Sequence, residues 1–268
     1  MSLRTVSQAA VTMNQLQNQI DMIGHNLANS QTSGYKSRQA EFSSLLNQEM
    51  MNMTDAANLQ GRMTPDGIRL GTGARLGAID NDLSLGAIQQ TDRDLDTMLL
   101  DENHYYQIQV EDEIQYTRDG AFYLQPLENG NEVMLVTRNG YPVNGANGPI
   151  QFAAGFESIH VAENGDVIVK RGAANEFVGT IAVAEIAQSR SLEAVGDNLF
   201  RIPDAAGAGL VQAAPANRAL IEARALEMSN VSIQEQMTQL INAQRSYQFN
   251  SRTISMADQM QGLVNQLR

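Results

Sequence analysis

Apolar side chains recur in steps of three and four along about the last forty residues of the chain. The series consists of Ile233, Met237, Leu240, Ala243, Tyr247, Ile254, Ala257, Met260, Val264 and Leu267. Because side chains three and four residues apart share one face of an α-helix, this spacing predicts one continuous amphipathic helix from Met228 to Leu267. No proline follows Pro215, so nothing removes a backbone donor from that helix.

The same spacing appears at the other end of the chain and predicts a second helix from Ser2 to Asn29. Its apolar positions are Leu3, Val6, Ala10, Met13, Leu16, Ile20, Ile23 and Leu27. Gln, Asn and Ser flank both apolar series, whereas a two-stranded coiled coil in water usually carries Glu and Lys beside its seam. We therefore expect the two helices to form a coiled-coil-like domain that is buried among neighbouring copies. An ordinary intramolecular helical hairpin is the alternative.

The hydrophobic period changes to two between Ile79 and Phe200, as in Tyr106-Gln107-Ile108-Gln109-Val110. This alternation is typical of β-strands. Asp-Gly and Asn-Gly dipeptides, which favour tight turns, separate the alternating runs. Ten of the 14 aromatic residues lie between Tyr105 and Phe200. The pattern predicts an α+β protein with a central antiparallel β-rich domain that has its own core.

These patterns divide the chain into four segments. Residues 1–45 form the N-terminal helix and a turn, and residues 46–78, rich in Met, Asn, Gln, Gly and Pro, form a linker or mobile loop. Residues 79–212 form the central β domain. Residues 213–268 form the C-terminal helix, which pairs with the N-terminal one.

Charge is distributed unevenly along the chain. The net charge is −12, and residues 46–215 carry an excess of 14 acidic groups while both ends are nearly neutral. With only two lysines and no basic stripe, the sequence argues against a nucleic-acid partner. Nearly neutral ends can pack in many copies without strong repulsion, while the acidic middle stays solvated.

The residues that usually carry chemistry are not grouped in this sequence. Cysteine is absent, and the three histidines share no metal-ligand spacing. Asp92, Asp94 and Asp96 alternate as at the start of a calcium loop, but Thr97 stands where that loop needs Gly and Asn103 where it needs Glu. We therefore predict no catalytic residues, no cofactor and no metal. A pair of carboxylates among the 30 acids is the remaining enzyme interpretation.

Membrane and secretory segments have no support in the sequence. No run approaches 18 apolar residues, so we expect no membrane insertion. The N-terminus also lacks the basic start, apolar run and small-residue cleavage site of a secretory signal peptide.

Two short motifs, one near each end, resemble the signatures of the flagellar basal-body rod and hook protein family. The first joins a helix end to a turn: Asn26-Leu27-Ala28-Asn29, then Thr32-Ser33-Gly34-Tyr35-Lys36. The second comprises Leu226-Glu227-Met228-Ser229-Asn230-Val231 and Ala243-Gln244-Arg245-Ser246-Tyr247. Tyr116-Thr117-Arg118-Asp119-Gly120 also resembles the central domain of these proteins. Gly71-Thr72-Gly73-Ala74-Arg75 resembles a segment of the distal rod members.

The resemblance and the helical patterns together give two sets of candidate functional residues. The predicted assembly positions on the helices are Leu3, Val6, Met13, Leu16, Ile20, Ile23, Leu27, Ile233, Met237, Leu240, Tyr247, Ile254, Val264 and Leu267. The family-motif residues are Asn26, Leu27, Ala28, Asn29, Thr32, Gly34, Tyr35, Lys36, Met228, Ser229, Asn230, Val231, Gln244, Arg245 and Tyr247. We expect Gly34 to set the angle between the first helix and the linker.

The resemblance implies a structural subunit of the flagellar basal-body rod, most like the distal rod protein. Such a subunit self-assembles in a helical array, contacts other rod and hook proteins, and is exported by the flagellar export apparatus without a cleaved signal peptide. It works outside the cytoplasm, as part of a tube that transmits torque. A proximal rod or hook subunit is the alternative within the family, and an acidic glycan-cleaving enzyme is the alternative outside it.

Overall fold

A computed structural model describes residues 2–44, 48–50, 68–70, 74–111, 113–127, 130–187, 192–203, 211–213 and 221–266. The chain forms two compact units. The helical unit comprises Met1–Leu27, Arg38–Asp80 and Ile233–Arg268, and the β unit comprises Ala28–Ser37 and Asn81–Ser232. The chain is thus α+β, with one helix at each end and a strand-rich middle, as the sequence predicts.

The helical unit contains both long helices, α1 (Ser2–Ala28) and α2 (Ile233–Gln266). Helix α1 ends within one residue of the predicted position, but α2 begins five residues later than expected. Met228 extends a strand pairing instead, since its N–H donates to the carbonyl of Ala87 at 2.9 Å. The order Ser232-Ile-Gln-Glu235 is that of a capping box, which accounts for a helix start at Ile233. Neither described helix is long and apolar enough to span a membrane.

Among the described residues, four strands lie wholly or almost wholly in the helical unit. They are β1 (Arg38–Ser44), β2 (Gln48–Met50), β3 (Ile68–Leu70) and β4 (Ala74–Asn81). Strand β1 pairs with β4, and β2 pairs with β3 in antiparallel register. Three of these strands lie in or overlap the segment that its composition predicted to be a linker or mobile loop. The Gly71-Thr72-Gly73 triplet within that segment lies outside the described residues.

The β unit contains the remaining strands. In chain order they are β5 (Ile88–Gln90), β6 (Thr97–Leu99), β7 (His104–Val110), β8 (Glu113–Thr117), β9 (Tyr123–Pro126), β10 (Glu132–Val136), β11 (Asn144–Gly145), β12 (Gly148–Pro149), β13 (Gln151–Ala153), β14 (Ser158–Val161), β15 (Asp166–Arg171), β16 (Ala174–Thr180), β17 (Val183–Ile186), β18 (Glu193–Gly196), β19 (Leu199–Arg201), β20 (Val211–Ala213), β21 (Ile221–Ala223) and β22 (Ala225–Glu227).

Antiparallel pairing joins these strands into one large sheet and several small ones. The large sheet has the order β18-β19-β8-β7-β17-β20, and two three-stranded sheets have the orders β13-β10-β9 and β14-β15-β16. Short pairs are formed by β11 with β12, β21 with β6, and β22 with β5. The predicted antiparallel β-rich middle is therefore confirmed.

Strand β7 lies at the centre of the hydrophobic core. Successive residues of a strand point to opposite faces of its sheet, and both Tyr105 and Tyr106 are fully buried. The Tyr106 ring meets Phe122 edge-on at 5.1 Å in the main core, and the Tyr105 ring meets Phe200 at 5.9 Å in a second cluster. The large sheet is thus covered on both faces along β7, which gives neighbouring residues a rigid support.

The segments next to the two helices both belong to the β unit. Residues 29–37 follow α1 directly, and residues 221–232, which include β21 and β22, precede α2. Strand β21 pairs Ile221 with Leu99, and β22 pairs Glu227 with Ile88. The ends of both long helices are therefore continuous with a well-packed β scaffold, and the residues that meet there form the site described next.

Candidate functional site

The carboxylate of Glu227, at the end of β22, pairs with two cations from distant parts of the chain. Lys36 Nζ lies 2.5 Å from Oε1, and Arg118 Nε donates to Oε2 at 3.0 Å. A second Arg118 nitrogen, Nη2, lies 3.0 Å from the same Oε2. All three side chains are at most 1% exposed. We call Lys36, Arg118 and Glu227 the Glu227 cluster.

Arg118 is held from several directions. Its Nη1 donates to the backbone carbonyls of Asp101, at 2.6 Å, and His104, at 2.5 Å. The guanidinium carbon also lies 5.5 Å from the centre of the Tyr105 ring, within cation–π range. Because the carbonyls belong to the turn before β7 and to its first residue, the central strand fixes the orientation of the guanidinium.

Lys36 is buried with its charge balanced by oxygen atoms. Nζ donates to the backbone carbonyl of Ser84 at 2.6 Å as well as to Glu227. Burial lowers the pKa of Lys36 below its usual range, and the attraction of Glu227 opposes that shift. A charged lysine at this position therefore depends on its carboxylate partner.

Gly34 brings the turn after α1 into close contact with the backbone before β9. It adopts φ +66°, and a Cβ atom there would lie 2.6 Å from the Asp119 nitrogen. The Gly34 N–H donates to the backbone carbonyl of Glu227 at 2.8 Å, and Ser33 Oγ donates to Asp119 Oδ1 at 2.7 Å. Within the β unit the turn is thus packed against the segment between β8 and β9. The sequence predicts a role of Gly34 in this turn but does not reveal the close contact.

Asn230 of the second motif contacts the residue that directly follows the first motif. Its Oδ1 accepts the Ser37 N–H at 2.8 Å, and its Nδ2 donates to the carbonyl of Asp82 at 2.8 Å. Nearby, Gly86 packs so closely that a Cβ atom would lie 1.8 Å from the Met228 carbonyl oxygen. The stretch before β5 is therefore held between the N-terminal and C-terminal motifs.

Three regions of the chain match family profiles, and each contains one member of the Glu227 cluster. Residues 8–36 match "Flagella basal body rod protein", residues 100–169 match "Flagellar hook protein FlgE/F/G D1 domain", and residues 222–267 match "Flagellar basal body rod FlgEFG protein C-terminal".

Whole-length relatives agree with these profiles. The flagellar hook-basal body complex protein FlhP of Bacillus subtilis is 42% identical over 99% of this chain and 100% of its own length. The flagellar basal-body rod protein FlgG of the same species is 33% identical, and that of Agrobacterium fabrum is 32% identical, each over 98% of both chains. The chain belongs to the flagellar basal-body rod and hook protein family. This is a family of structural proteins, so the glycan-cleaving alternative is set aside.

The rod-protein motifs occupy different environments. Near the Glu227 cluster, Tyr35 is 7% exposed, Thr32 Oγ1 donates to Asn29 Oδ1, and Met228, Ser229, Asn230 and Val231 are half-buried. Leu27 is half-buried and Ala28 is exposed at the end of α1. On α2, Gln244 and Arg245 are exposed and Tyr247 is half-buried. The structure brings the turn of the first motif together with the first half of the second, whereas the second half lies on α2.

The sequence does not single out Glu227, Arg118 or Asp119 as site residues, although each stands inside a stretch that resembles the rod and hook family. For Glu227 the available signal was a charged residue within an otherwise neutral motif. Ser84 and Gly86 had no signal, because their roles come only from contacts with distant segments. Within the described residues, no group of three or more His, Asp or Glu side chains is arranged to hold a metal ion.

Replacing the central carboxylate tests the charge balance of the cluster. Glu227→Gln leaves Lys36 and Arg118 buried without an anion, so we expect the free energy of unfolding to fall by about 3–5 kcal/mol. Urea unfolding followed by circular dichroism measures it. The matched control is Glu193→Gln, whose partner Arg201 lies 3.4 Å away with both side chains about half exposed, and which should cost less than about 1 kcal/mol. Equal losses in the two variants would contradict the prediction.

Two glycines separate backbone strain from close packing. Gly34 and Gly130 have nearly the same φ, +66° and +67°, but only Gly34 has backbone atoms within 4 Å of the position that an added Cβ atom would take. We expect Gly130→Ala to cost about 1–2 kcal/mol for the left-handed conformation alone. Gly34→Ala should cost clearly more, because its methyl group meets Asp119. Unfolding midpoints of the two variants measure this difference, and indistinguishable midpoints would refute it.

Asp119 gives the site a pH dependence. Burial raises its pKa above 3.8, while the Ser33 hydroxyl and the Ala121 N–H partly oppose that shift. As the pH rises past 3.8, Asp119 ionises in the unfolded chain before it ionises in the folded chain. The free energy of unfolding therefore falls as the pH rises from 3.8 through the raised pKa of the folded state. Asp119→Asn keeps an acceptor for both donors and removes the ionisation. The unfolding free energy of the variant minus that of the parent should therefore increase from about pH 3 to about pH 7. A difference that stays constant or decreases would rule this out.

Proposed function

We propose that the chain is a distal-rod-type axial subunit, which assembles in many copies through its terminal helices into a tube that transmits torque. The FlgG relatives, which are named basal-body rod proteins, support the rod assignment through 32–33% identity over nearly the whole chain. The higher identity to FlhP, named a hook-basal body complex protein, keeps a proximal rod or hook subunit as the second candidate.

The observation that carries this proposal is a set of exposed apolar side chains on α2. Seven large apolar residues of this helix are between 44% and 70% exposed: Ile233, Met237, Ile241, Phe249, Met256, Met260 and Leu263. Such a concentration of exposed apolar surface on one element marks a contact site. We call these seven residues the α2 outer surface.

A different face of α2 is covered within the chain. Residues that are buried or half-buried repeat in steps of four and three: Gln236, Leu240, Ala243, Tyr247, Asn250, Ile254 and Ala257. This heptad-like spacing supports a coiled-coil-like pairing of the terminal helices. One face of α2 therefore makes contacts within the chain, and the α2 outer surface is available for contacts with neighbouring copies.

The predicted assembly positions divide between these two faces. Ile233 and Met237 belong to the α2 outer surface, whereas Leu240, Tyr247 and Ile254 belong to the covered face. On α1, Ile23 is fully buried, and five positions are half-buried: Val6, Met13, Leu16, Ile20 and Leu27. Leu3, Val264 and Leu267 lie outside the residues whose side chains are described. We propose the outer-surface positions as the contacts between copies and the covered positions as the contacts within one copy.

Assembly through the terminal helices is also compatible with the charge distribution of the chain and with transport through the flagellar export apparatus. The nearly neutral terminal segments can pack closely, while the acidic β unit remains in water. Burying the α2 outer surface against neighbouring copies stabilises the helix by roughly 25 cal/mol for each Å² removed from water. Helices that gain much of their stability on assembly are easily threaded through the flagellar export apparatus. The partners are other copies of this chain and other rod and hook proteins.

A single polar substitution on the α2 outer surface tests this function. Met260 is 60% exposed, so Met260→Asp should leave the unfolding midpoint of the isolated chain nearly unchanged and abolish motility. In a strain that lacks the chromosomal copy, basal bodies are isolated and labelled with immunogold against residues 96–205. We expect label on the rod below the hook for the parent and none for Met260→Asp.

The control for this experiment is Gln261→Asp, which adds the same charge at an exposed polar position of the same helix and should behave like the parent. Label on the hook in the parent would replace the distal-rod assignment by the hook alternative. Normal motility and rod labelling in Met260→Asp would contradict assembly through the α2 outer surface.

A further inference from the structure

A buried amide pair links the two long helices inside the helical unit. Asn26 Nδ2 donates to Gln236 Oε1 at 3.2 Å, and the two residues are only 1% and 8% exposed. Asn26 lies near the end of α1, and Gln236 lies in the first turn of α2, 210 residues later. An amide pair in a buried helix contact is unexpected on hydrophobic grounds alone, because apolar side chains would fill the same space without needing partners.

The orientation of the Asn26 amide is fixed by the backbone of Arg38. Asn26 Oδ1 accepts the Arg38 N–H at 2.9 Å, and Nδ2 donates to the Arg38 carbonyl at 2.8 Å. Turning the amide over would place a donor against the N–H and an acceptor against the carbonyl, so only one orientation satisfies both groups. Asn26 therefore always presents a donor to α2, and α2 must supply an acceptor at the facing position.

We propose that Asn26 and Gln236 form a register pin, which selects one alignment of α1 along α2. If α1 slips toward the interior of α2 by one turn or one heptad, the Asn26 donor faces Leu240 or Ala243, neither of which has a side-chain acceptor. A buried donor without a partner disfavours those alignments by roughly tenfold to a hundredfold. Apolar contacts stabilise the helix pair in any of these registers, whereas the amide pair distinguishes among them.

The pin also connects the register to the start of β1. Because Arg38 opens that strand, the amide of Asn26 ties three elements of the helical unit to one geometry: the end of α1, the start of β1 and the first turn of α2. The register thus determines where the exposed side chains of α2 lie along the length of α1. This selection acts within one chain and holds whether or not the copies assemble into a tube.

The test measures the helix register directly in the full-length chain. The chain has no cysteine, so spin labels attach only at introduced sites, and Asn18→Cys on α1 with Asn242→Cys on α2 are both exposed. Pulsed electron–electron double resonance then reports the distance between the two spin labels. A slip of one heptad moves the helices by about 10 Å relative to each other. Gln236→Leu should add a second population at such a shifted distance while circular dichroism shows unchanged helix content.

Two variants make the interpretation specific. Gln236→Glu keeps an acceptor for Asn26 Nδ2, so it should retain the single distance of the parent. Gln248→Leu makes the same exchange as Gln236→Leu at an exposed position of α2 and should also retain it. A single unshifted distance in Gln236→Leu would overturn the pin, and so would a broad distribution already present in the parent. Loss of helix content in Gln236→Leu without a second distance would show a purely stabilising role and would also overturn it.

Discussion

The buried carboxylate of Glu227 holds together the parts of the chain that come from its two ends and its middle. Removing two cations and a carboxylate from water costs several kcal/mol for each ion, and only mutual pairing with further hydrogen bonds offsets that cost. Lys36 and Arg118 therefore require Glu227, and each also requires backbone carbonyls of the β unit. The turn after α1, the segment before β9 and the strand before α2 consequently form one mutually dependent structure. Both helices are covalently continuous with it.

The buried ion pairs of the Glu227 cluster determine how firmly the segments next to both helices are held. Buried, hydrogen-bonded charges have one favourable geometry, so the segment that follows α1 and the segment that precedes α2 are held firmly within the β unit. The α2 outer surface has the opposite character, because its side chains are apolar and exposed in the single chain. The proposed assembly uses both properties: the contacts of the Glu227 cluster are complete within each copy, and the apolar contacts of the α2 outer surface are completed by neighbouring copies.

In both units of the molecule, polar groups select which segments contact each other and in which alignment. In the β unit the Glu227 cluster determines which three segments meet, and in the helical unit the proposed register pin determines how α1 lies along α2. Apolar burial is less selective, since Leu, Ile, Met and Ala pack against one another in several alignments. The family motifs contain both kinds of polar group, Asn26 in the first motif and Glu227 in the second. Their unusual composition for buried segments thus has a physical reason.

The sequence alone determined the two long helices, the antiparallel middle and the family, because these depend on hydrophobic period and on short local motifs. It did not reveal that one of the Asn-Gly dipeptides expected to form turns, Asn144-Gly145, is strand β11, or that β2 and β3 lie in the expected linker. It also predicted helix from Met228, whereas pairing with β5 and the capping sequence at Ser232 delay α2 to Ile233. The Glu227 cluster was decided only by the tertiary structure. Lys36 and Arg118 lie 191 and 109 residues from Glu227, and no local pattern specifies which distant charges will share a buried carboxylate.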